Sequence, residues 1–251
     1  MAGRRWKVPE GPGMGIHTQA RRSMLVAVLS DIHSNVFALK AVLRDIERVG
    51  VAEVWVCGDT FGYYPWAADT FRLLQETRPV AVLGNHDAWV ADGQSAPTGI
   101  TGEIAQRNAA DLAIHIPAAL DWLADLAPTR RFERIGWKIT IVHGTPDDPL
   151  EGRYYPNDTH SYPWFPREGE ILLLGQTHYP LLRGNAGFGL LLNPGSVGQP
   201  RDRNPMPSWA LLDLASGTAE LRRTTYDNVN VIERLRVLEW DEYVTSALDK
   251  R

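Results

Sequence analysis

The segment Ala81–Ala88 reads Ala-Val-Leu-Gly-Asn-His-Asp-Ala, and it joins a short apolar run directly to three polar side chains. The apolar run has the length and β-branched content of a buried strand, which Gly84 ends. Asn85, His86 and Asp87 are therefore expected at the carboxyl end of a strand, where open α/β sheets bind ligands. The stretch alone leaves a second interpretation open, in which Asn85 or Asp87 caps the following helix.

Other strand-like segments of the chain end in residues of the same kind. Met24–Ser30 is a continuous apolar run followed at once by Asp31, and Val51–Cys57 is a second strand-like segment that ends in Gly58-Asp59. In chain order, the polar residues at the predicted strand ends are Asp31, His33, Asp59, Asn85, His86, Asp87, His143, Gln176 and His178. Each has an ordinary alternative role as a helix cap, a turn residue or a half-buried histidine. Together they form a mixed imidazole and carboxylate set, which suits Zn, Fe or Mn.

The order of the elements predicts an α/β fold. Helical spacing follows the first strand, with Ser34 as its expected cap and Gly50 as its stop. Three strand–helix units in succession imply parallel strands whose polar ends share one edge. Later, Thr129–Arg134 and Trp137–Val142 alternate around Ile135-Gly136 and predict a hairpin. We therefore expect two mixed sheets packed face to face with helices outside.

Composition limits the class of protein. The chain has 251 residues, 44% of them hydrophobic, and a net charge of -4, which disfavours nucleic acid and anionic membranes as partners. Cys57 is the single cysteine, and no apolar run approaches the roughly eighteen residues of a membrane span. These features predict a reducing, cytoplasmic location. Residues 1–23 lack the apolar stretch of a signal peptide and are interpreted as a flexible leader, with residues 24–251 as a single domain.

The ordered motifs of this chain resemble those of the calcineurin-like metallophosphoesterase superfamily. That family's motifs are D-x-H, G-D, G-N-H-D/E, an isolated H, and G-H-x-H. The corresponding segments here are Asp31-Ile32-His33, Gly58-Asp59, Gly84-Asn85-His86-Asp87, His143-Gly144 and Gly175-Gln176-Thr177-His178. The extended forms Asp31–Asn35 and Asn193–Gly198 are similar to those of the small bacterial and archaeal phosphodiesterase-like branch.

The resemblance implies a four-layer α-β-β-α sandwich and a site with two divalent metal ions. The expected ions are Mn or Fe, with Zn and Ni as alternatives. Carried over by motif, one metal would be held by Asp31, His33 and His178, the other by Asn85 and His143, with Asp59 bridging both. A metal-bound hydroxide would then attack the phosphorus atom. His86 would donate a proton to the leaving oxygen or stabilise the transition state, with Asp87 orienting it.

One ligand position departs from the family pattern. Gln176 stands where the family has the first histidine of G-H-x-H. An amide oxygen is a weaker ligand than imidazole for a transition metal, so the second metal would be held loosely or completed by water. The alternative is that Gln176 hydrogen-bonds to a metal-bound water and both metals still bind.

The implied activity is the metal-dependent hydrolysis of a small phosphoester, with a nucleotide-like substrate among the options. Asn35 and Arg201 are the predicted substrate contacts, although a loop arginine is usually only solvated. Aromatic residues that could line a pocket, or simply pack, are Tyr63, Tyr64, Trp66, Tyr154, Tyr155 and Trp164. Alternatives are a serine/threonine-type phosphoprotein phosphatase and a catalytically weak binding scaffold on the same fold. A nuclease is disfavoured by the acidic charge balance.

Overall fold

Two mixed five-stranded sheets form the centre of the molecule. The computed structural model describes residues 24–93, 96–185 and 187–249, so the predicted leader, residues 1–23, lies outside the described residues. Sheet 1 contains β1 (Leu25–Leu29), β2 (Glu53–Val56), β3 (Val80–Ala81), β9 (Ser208–Asp213) and β10 (Thr218–Arg223). Its spatial order is β10-β9-β1-β2-β3. β1, β2 and β3 are parallel, as the three strand–helix units predicted, and β9 and β10 add antiparallel strands at one side.

Sheet 2 is built from the second half of the chain. It contains β4 (Thr129–Arg134), β5 (Trp137–Val142), β6 (Glu170–Leu173), β7 (Pro180–Asn185) and β8 (Gly189–Pro194), in the order β4-β5-β6-β8-β7. β5, β6 and β8 are parallel to one another, while β4 and β7 pair antiparallel at the two edges. The predicted hairpin of β4 and β5 is confirmed with its predicted bounds.

The two sheets pack face to face through a continuous apolar core. Val26, Val28 and Trp55 of sheet 1 contact a layer from sheet 2 that includes Ile139 and Leu173. Cys57 lies fully buried in the same layer, as expected of a small hydrophobe. This packing aligns the carboxyl ends of the central strands of both sheets at one edge of the sandwich.

Helices cover the outer face of sheet 1 and the neighbouring edge. Their bounds are α1 (Val36–Val49), α2 (Ala67–Gln75), α3 (Asn85–Asp92), α4 (Ile100–His115), α5 (Ala118–Ala124), α6 (Asn228–Val237) and α7 (Glu242–Ser246). α1 packs its apolar stripe, including Leu39 and Val42, on the outward side chains of β1 and β2. None of the helices among residues 24–93, 96–185 and 187–249 is both long and apolar enough to cross a membrane.

The caps of α1 show one difference from the predicted element. Gly50 ends the helix in the left-handed conformation, with φ 72°, as predicted. The N-cap, however, is Asn35 and not Ser34, because the Asn35 side chain accepts a hydrogen bond from Ala38 N at 3.1 Å. Ser34 instead donates to Asn108 of α4, so its hydroxyl serves a tertiary contact.

The outer face of sheet 2 is covered by a long loop and not by a helix. The described residues between β5 and β6 contain no helix, and Tyr154, Tyr162, Trp164 and Phe165 pack there on outward side chains such as Leu172. The Tyr162 and Trp164 rings stack with centroids 4.7 Å apart. These aromatic residues therefore supply the apolar cover that sequence analysis assigned to helices on this side.

Candidate metal centre

The polar strand ends predicted from the sequence converge at one edge of the sandwich. Sheet 1 brings Asp31 and His33 after β1, Asp59 after β2, and Asn85 and His86 at the start of α3 after β3. Sheet 2 adds three side chains from the ends of β5 and β6, which are His143, Gln176 and His178. All of these residues are buried, and the most exposed of them, His86, has 7% of its surface accessible.

One group of side chains has three ligand atoms facing a common point. His33 Nε2 lies 3.1 Å from His178 Nε2, and His178 Nε2 lies 3.2 Å from Asp31 Oδ1. The remaining distance among these three atoms, from His33 Nε2 to Asp31 Oδ1, is 3.8 Å. Two imidazole nitrogens and a carboxylate oxygen at these distances could hold one metal ion.

A second group adjoins the first through Asp59. The Asp59 Oδ2 atom lies 3.7 Å from His33 Nε2 and 3.3 Å from His143 Nε2, so it stands between the two groups. On the far side, His143 Nε2 lies 3.1 Å from Asn85 Oδ1. Asp31, Asp59 and His143 also have ligand atoms that all lie within 4.8 Å of one another, so they could share an ion.

The three histidines of these groups are fixed through their other ring nitrogens. His33 Nδ1 lies 3.2 Å from Phe61 O, His143 Nδ1 lies 2.7 Å from Cys57 O, and His178 Nδ1 lies 2.6 Å from Gln199 O. A backbone carbonyl only accepts, so each Nδ1 must carry the proton. The Nε2 atoms facing the centre are then free to bind a cation, which is the usual arrangement behind a metal ligand.

The Asp31 carboxylate provides a test of whether the residues present fit a metal. Both of its oxygens are buried and have no hydrogen-bond partner among the described residues. A buried carboxylate without a partner is strongly disfavoured, because it has lost its hydration. A cation at this position would satisfy both oxygens, so the donor set fits the metal that the sequence predicted.

The ionisation of the centre reflects its dense charge. Burial opposes protonation of His143, but the Asp59 carboxylate, which is also its hydrogen-bond partner, and Asp31 outweigh it and raise the His143 pKa to about 10. Burial also opposes ionisation of Asp59, yet His143, His86 and His33 hold the pKa of Asp59 well below its usual range. At neutral pH the His143 imidazole thus carries a proton on both nitrogens and balances the Asp59 carboxylate, and a cation bound at Nε2 would replace that proton.

The backbone at the centre is held in a conformation that few residues adopt. Among the described residues, ten non-glycine residues have positive φ, and six of them lie in these loops. The six are Asp31, His33, Ser34, Asp59, Gln176 and His178. Left-handed conformations of non-glycine residues cost free energy and are maintained only where the surrounding structure imposes them.

His86 stands beside the centre in an aromatic cage. Its ring centroid lies 4.7 Å from those of His33 and Tyr63 and 4.5 Å from that of Trp89. Burial, with smaller contributions from nearby histidines, lowers the pKa of His86 to about 4, although the Asp59 carboxylate opposes the shift. The ring is therefore uncharged at neutral pH in the metal-free protein and can offer an N–H as a hydrogen-bond donor.

Asp87 lies next to His86 in sequence, but its carboxylate is used by the backbone. Oδ1 accepts from Phe61 N at 3.0 Å and Oδ2 accepts from Gly84 N at 3.1 Å, which closes the first turn of α3. Burial and the Asp59 charge raise the pKa of Asp87 to about 7. These contacts join two of the site loops, whereas the predicted contact was with the His86 ring.

Gln176 is oriented with its amide nitrogen towards the centre. Its Nε2 donates to Leu150 O at 2.9 Å and to Asn85 Oδ1 at 3.3 Å. A carbonyl such as Leu150 O requires a donor, so the –NH₂ end of Gln176 must face these partners. In this orientation Gln176 holds Asn85 in place and does not present an oxygen to a metal ion.

The two predicted substrate contacts differ in accessibility. Arg201 is exposed, and its guanidinium donates to Tyr63 Oη at 3.0 Å at the edge of the centre. Asn35 is fully buried, and its amide is occupied by Ala38 N and by Gly198 O, to which it donates at 2.9 Å. This corrects the prediction for Asn35, since a capping side chain with both ends bonded cannot reach a substrate.

Asn108 is a buried residue of the site that the motifs did not reveal. Its Oδ1 accepts from Ser34 Oγ at 2.5 Å and from Gly62 N at 3.3 Å, and its Nδ2 donates to Tyr64 O at 3.1 Å. It thereby ties the loop after β1 to the loop after β2. An asparagine on the apolar stripe of α4, four residues after the buried Ile104, is the sequence signal that could have identified it.

Comparisons with known proteins agree with this geometry. A model of the calcineurin-like phosphoesterase superfamily domain matches residues 24–217. An uncharacterized protein of Methanocaldococcus jannaschii is 30% identical over 239 residues, covering 86% of this chain and 95% of that protein. Among solved structures, a metallophosphoesterase from Sphaerobacter thermophilus has a TM-score of 0.74 and 24% identity over 91% of this chain and 99% of its own.

A second solved structure supports the same fold. A hypothetical protein from Pyrococcus horikoshii OT3 has a TM-score of 0.75 and 22% identity, covering 89% of this chain and 97% of its own. The family match includes every strand except β10, and so every strand end that supplies the centre. The chain therefore belongs to the calcineurin-like phosphoesterase superfamily, a family of metal-dependent hydrolases that act on phosphoesters.

Proposed function

We propose that the chain hydrolyses a small phosphodiester at a centre of two divalent metal ions, with Mn or Fe as the preferred ions. The observation that carries this proposal is the position of Asp59 Oδ2, 3.7 Å from His33 Nε2 and 3.3 Å from His143 Nε2. A carboxylate shared by two sets of ligands is what a bridged pair of cations requires. When bound, such ions polarise a phosphoryl oxygen and activate water for in-line attack.

The proposed ligand sets follow the two groups of side chains. Asp31, His33 and His178 would hold one ion, His143 and Asn85 would hold the other, and Asp59 would belong to both sets. The Nδ1–H bonds to backbone carbonyls keep the imidazoles in the tautomer that binds metal. Gln176 fixes Asn85 through its amide, which leaves the second ion with fewer strong protein ligands than the first.

His86 acts on the substrate and not on the metals. Its ring is the most accessible of the imidazoles at the centre, and its backbone N–H donates to Asp59 Oδ1 at 2.9 Å, which places it beside the bridging carboxylate. An uncharged imidazole N–H there would donate to a phosphoryl oxygen or to the leaving group. Binding of an anionic phosphoester would favour the protonated ring, which could then serve as an acid.

The test compares a phosphodiester with a phosphomonoester in the metal-loaded enzyme. The protein is stripped of metal, reloaded with Mn²⁺ and assayed with bis(p-nitrophenyl) phosphate and p-nitrophenyl phosphate. We expect faster hydrolysis of the diester and two metal ions per chain by elemental analysis. His86→Asn should lower kcat by about 10²- to 10⁴-fold without loss of metal.

The matched control is His115→Asn, because that side chain is 57% exposed and lies outside the centre. It should retain full activity. Failure of the wild-type enzyme to hydrolyse either ester with Mn, Fe, Ni or Zn would refute the proposal and favour a binding scaffold. One metal per chain at saturating Mn²⁺ would refute the two-metal centre alone.

A further inference from the structure

The segment Phe61–Tyr64 runs over the imidazoles of the centre, and most of its backbone polar groups are hydrogen-bonded. Phe61 N donates to Asp87 Oδ1, and Phe61 O accepts a hydrogen bond from His33 Nδ1, as described above. Tyr64 N donates to His33 O at 3.1 Å, while Asn108 accepts from Gly62 N and donates to Tyr64 O. A loop with so many fixed backbone groups holds its side chains in defined positions.

The Tyr63 carbonyl of this segment is bound from a distant part of the chain. Trp240 Nε1 donates to Tyr63 O at 2.8 Å. Trp240 lies between α6 and α7, beyond residues 24–217 that match the family domain. It is itself fixed by its backbone bond to Leu235 O at 2.9 Å and by the Arg107 guanidinium, 5.1 Å from its ring centroid.

The Tyr63 side chain lies directly over the centre. Its ring centroid is 4.4 Å from that of His33 and 4.7 Å from that of His86. Its hydroxyl accepts from Arg201 at 3.0 Å, and the Arg201 guanidinium also approaches the ring face at 5.9 Å. Tyr63 thus joins the buried imidazoles to an exposed cation at the edge of the site.

The charge of Arg201 is available to a ligand. Its hydrogen bonds go to Tyr63 Oη and Gln199 Oε1, which are both uncharged groups. No carboxylate of the residues that the structure describes forms an ion pair with it, whereas Arg223 nearby in the fold is paired with Asp202. An exposed guanidinium beside a metal centre is well suited to binding phosphate oxygens.

We propose that Tyr63 and Arg201 contact the phosphate and ester groups of the substrate, and that Trp240 is a positioning residue acting through Tyr63. The proposal rests on the proposed function of the centre and extends its substrate site to the C-terminal segment outside the family domain. Loss of the indole N–H would leave the Tyr63 carbonyl without its donor and allow the ring and its hydroxyl to shift. The consequence is weaker substrate binding at an intact metal centre.

The experiment uses conservative substitutions with a matched control. Trp240→Phe removes the N–H but keeps an aromatic ring, and Tyr63→Phe removes the hydroxyl bonded to Arg201. Trp137→Phe is the control. Trp137 Nε1 also donates to a backbone carbonyl, Leu214 O, at 2.9 Å, but this hydrogen bond lies far from the centre. Each variant and the double variant Trp240→Phe/Tyr63→Phe are loaded with Mn²⁺ and analysed for metal content.

The expected readout is a change in KM and not in metal content. Tyr63→Phe should raise KM for the diester about 10-fold, and Trp240→Phe about 3- to 10-fold, with kcat changed less than about twofold. The double variant should resemble Tyr63→Phe alone, because Trp240 acts through Tyr63. Trp137→Phe should leave KM unchanged.

A second measurement separates this proposal from the proposed function. Calorimetric titration of the Mn-loaded proteins with inorganic phosphate measures anion binding without turnover. Phosphate should bind Trp240→Phe and Tyr63→Phe several-fold more weakly than it binds wild type or Trp137→Phe. Equal KM and phosphate affinity in Trp240→Phe and Trp137→Phe, or effects that multiply in the double variant, would overturn the inference. An inactive wild type with the predicted phosphate-binding pattern would overturn the hydrolytic function only.

Discussion

Replacing Gln176 by histidine should strengthen metal binding at the proposed second position. In the present chain the Gln176 amide donates to Leu150 O at 2.9 Å and Asn85 Oδ1 at 3.3 Å, so it contributes no ligand oxygen. The Gln176→His substitution would place an imidazole beside Asn85 and His143, where an additional nitrogen ligand can reach the ion. Imidazole is the stronger ligand for transition metals.

Two opposing effects set the expected magnitude. The substitution removes the partly buried hydrogen bond to Leu150 O and the longer, buried one to Asn85 Oδ1, which costs the metal-free protein about 0.5–1.5 kcal/mol for each bond. Substitution of a residue that only hydrogen-bonds to a metal ligand already alters metal affinity by about 10- to 100-fold. A new imidazole ligand should therefore improve the binding free energy by at least about 1.4–2.7 kcal/mol. The metal-free variant should therefore be slightly less stable than wild type, and the metal-loaded variant should bind its second ion more tightly.

The assay is a titration of metal-free protein with Mn²⁺ in competition with a fluorescent chelator, which resolves the two binding steps. The first step should be unchanged, and the second should shift to at least about 10-fold lower Mn²⁺ concentration. Gln176→Ala serves as the control, because it removes the same hydrogen bond to Leu150 O without adding a ligand. A second step that is unchanged or weaker in Gln176→His would refute the assignment of residue 176 to the second metal position.

Three further predictions concern the loops that carry the ligands. Metal at 100 times its Kd should stabilise wild type by about 2.7 kcal/mol, which raises Tm by about 5–11 °C. Thermal melts with and without chelator should show this shift in wild type and not in Asp31→Asn. An equal shift in the two proteins would contradict the role of Asp31. Gly84→Ala should lower metal content, because its Cβ would collide with the backbone and carboxylate of Asp59. Gly187→Ala is the control, because its Cβ would make an ordinary contact with Asn185 Oδ1 at 3.4 Å. Asn108→Ala should cost about 3 kcal/mol in urea unfolding, since buried partners are left unsatisfied at about 1–3 kcal/mol each, whereas the exposed Asn230→Ala should cost little.

The parts of the fold that sequence predicts well are those with a strong local pattern. β4 and β5 follow alternating residues around Ile135-Gly136, and their bounds agree with the structure. The polar residues after each apolar run mark the carboxyl edge of the sheets, because parallel strands end at a common edge. The residues that converge at this edge could therefore be named before their distances were known.

Contacts between residues far apart in sequence are much harder to predict. Asn108 and Trp240 act on the loop after β2 through single side chains, and no motif joins them to it. The aromatic cover of sheet 2 also has no helical or strand period, so its sequence favours a lid as readily as a packed layer. Local patterns determine elements, whereas these contacts depend on which elements become neighbours.

The strained backbone of the centre explains why such distant contacts are needed. Asp31, His33 and Asp59 adopt positive φ without being glycine, which costs each residue free energy that the loop itself cannot recover. Asp31 N donates to Gly58 O at 3.1 Å and His33 N to Asp59 O at 3.0 Å, so each loop maintains the conformation of the other. Asn108 then fixes the pair against α4. The proposed metal ligands are thus held in place by the protein itself, and the free energy of metal binding need not be spent on ordering the loops.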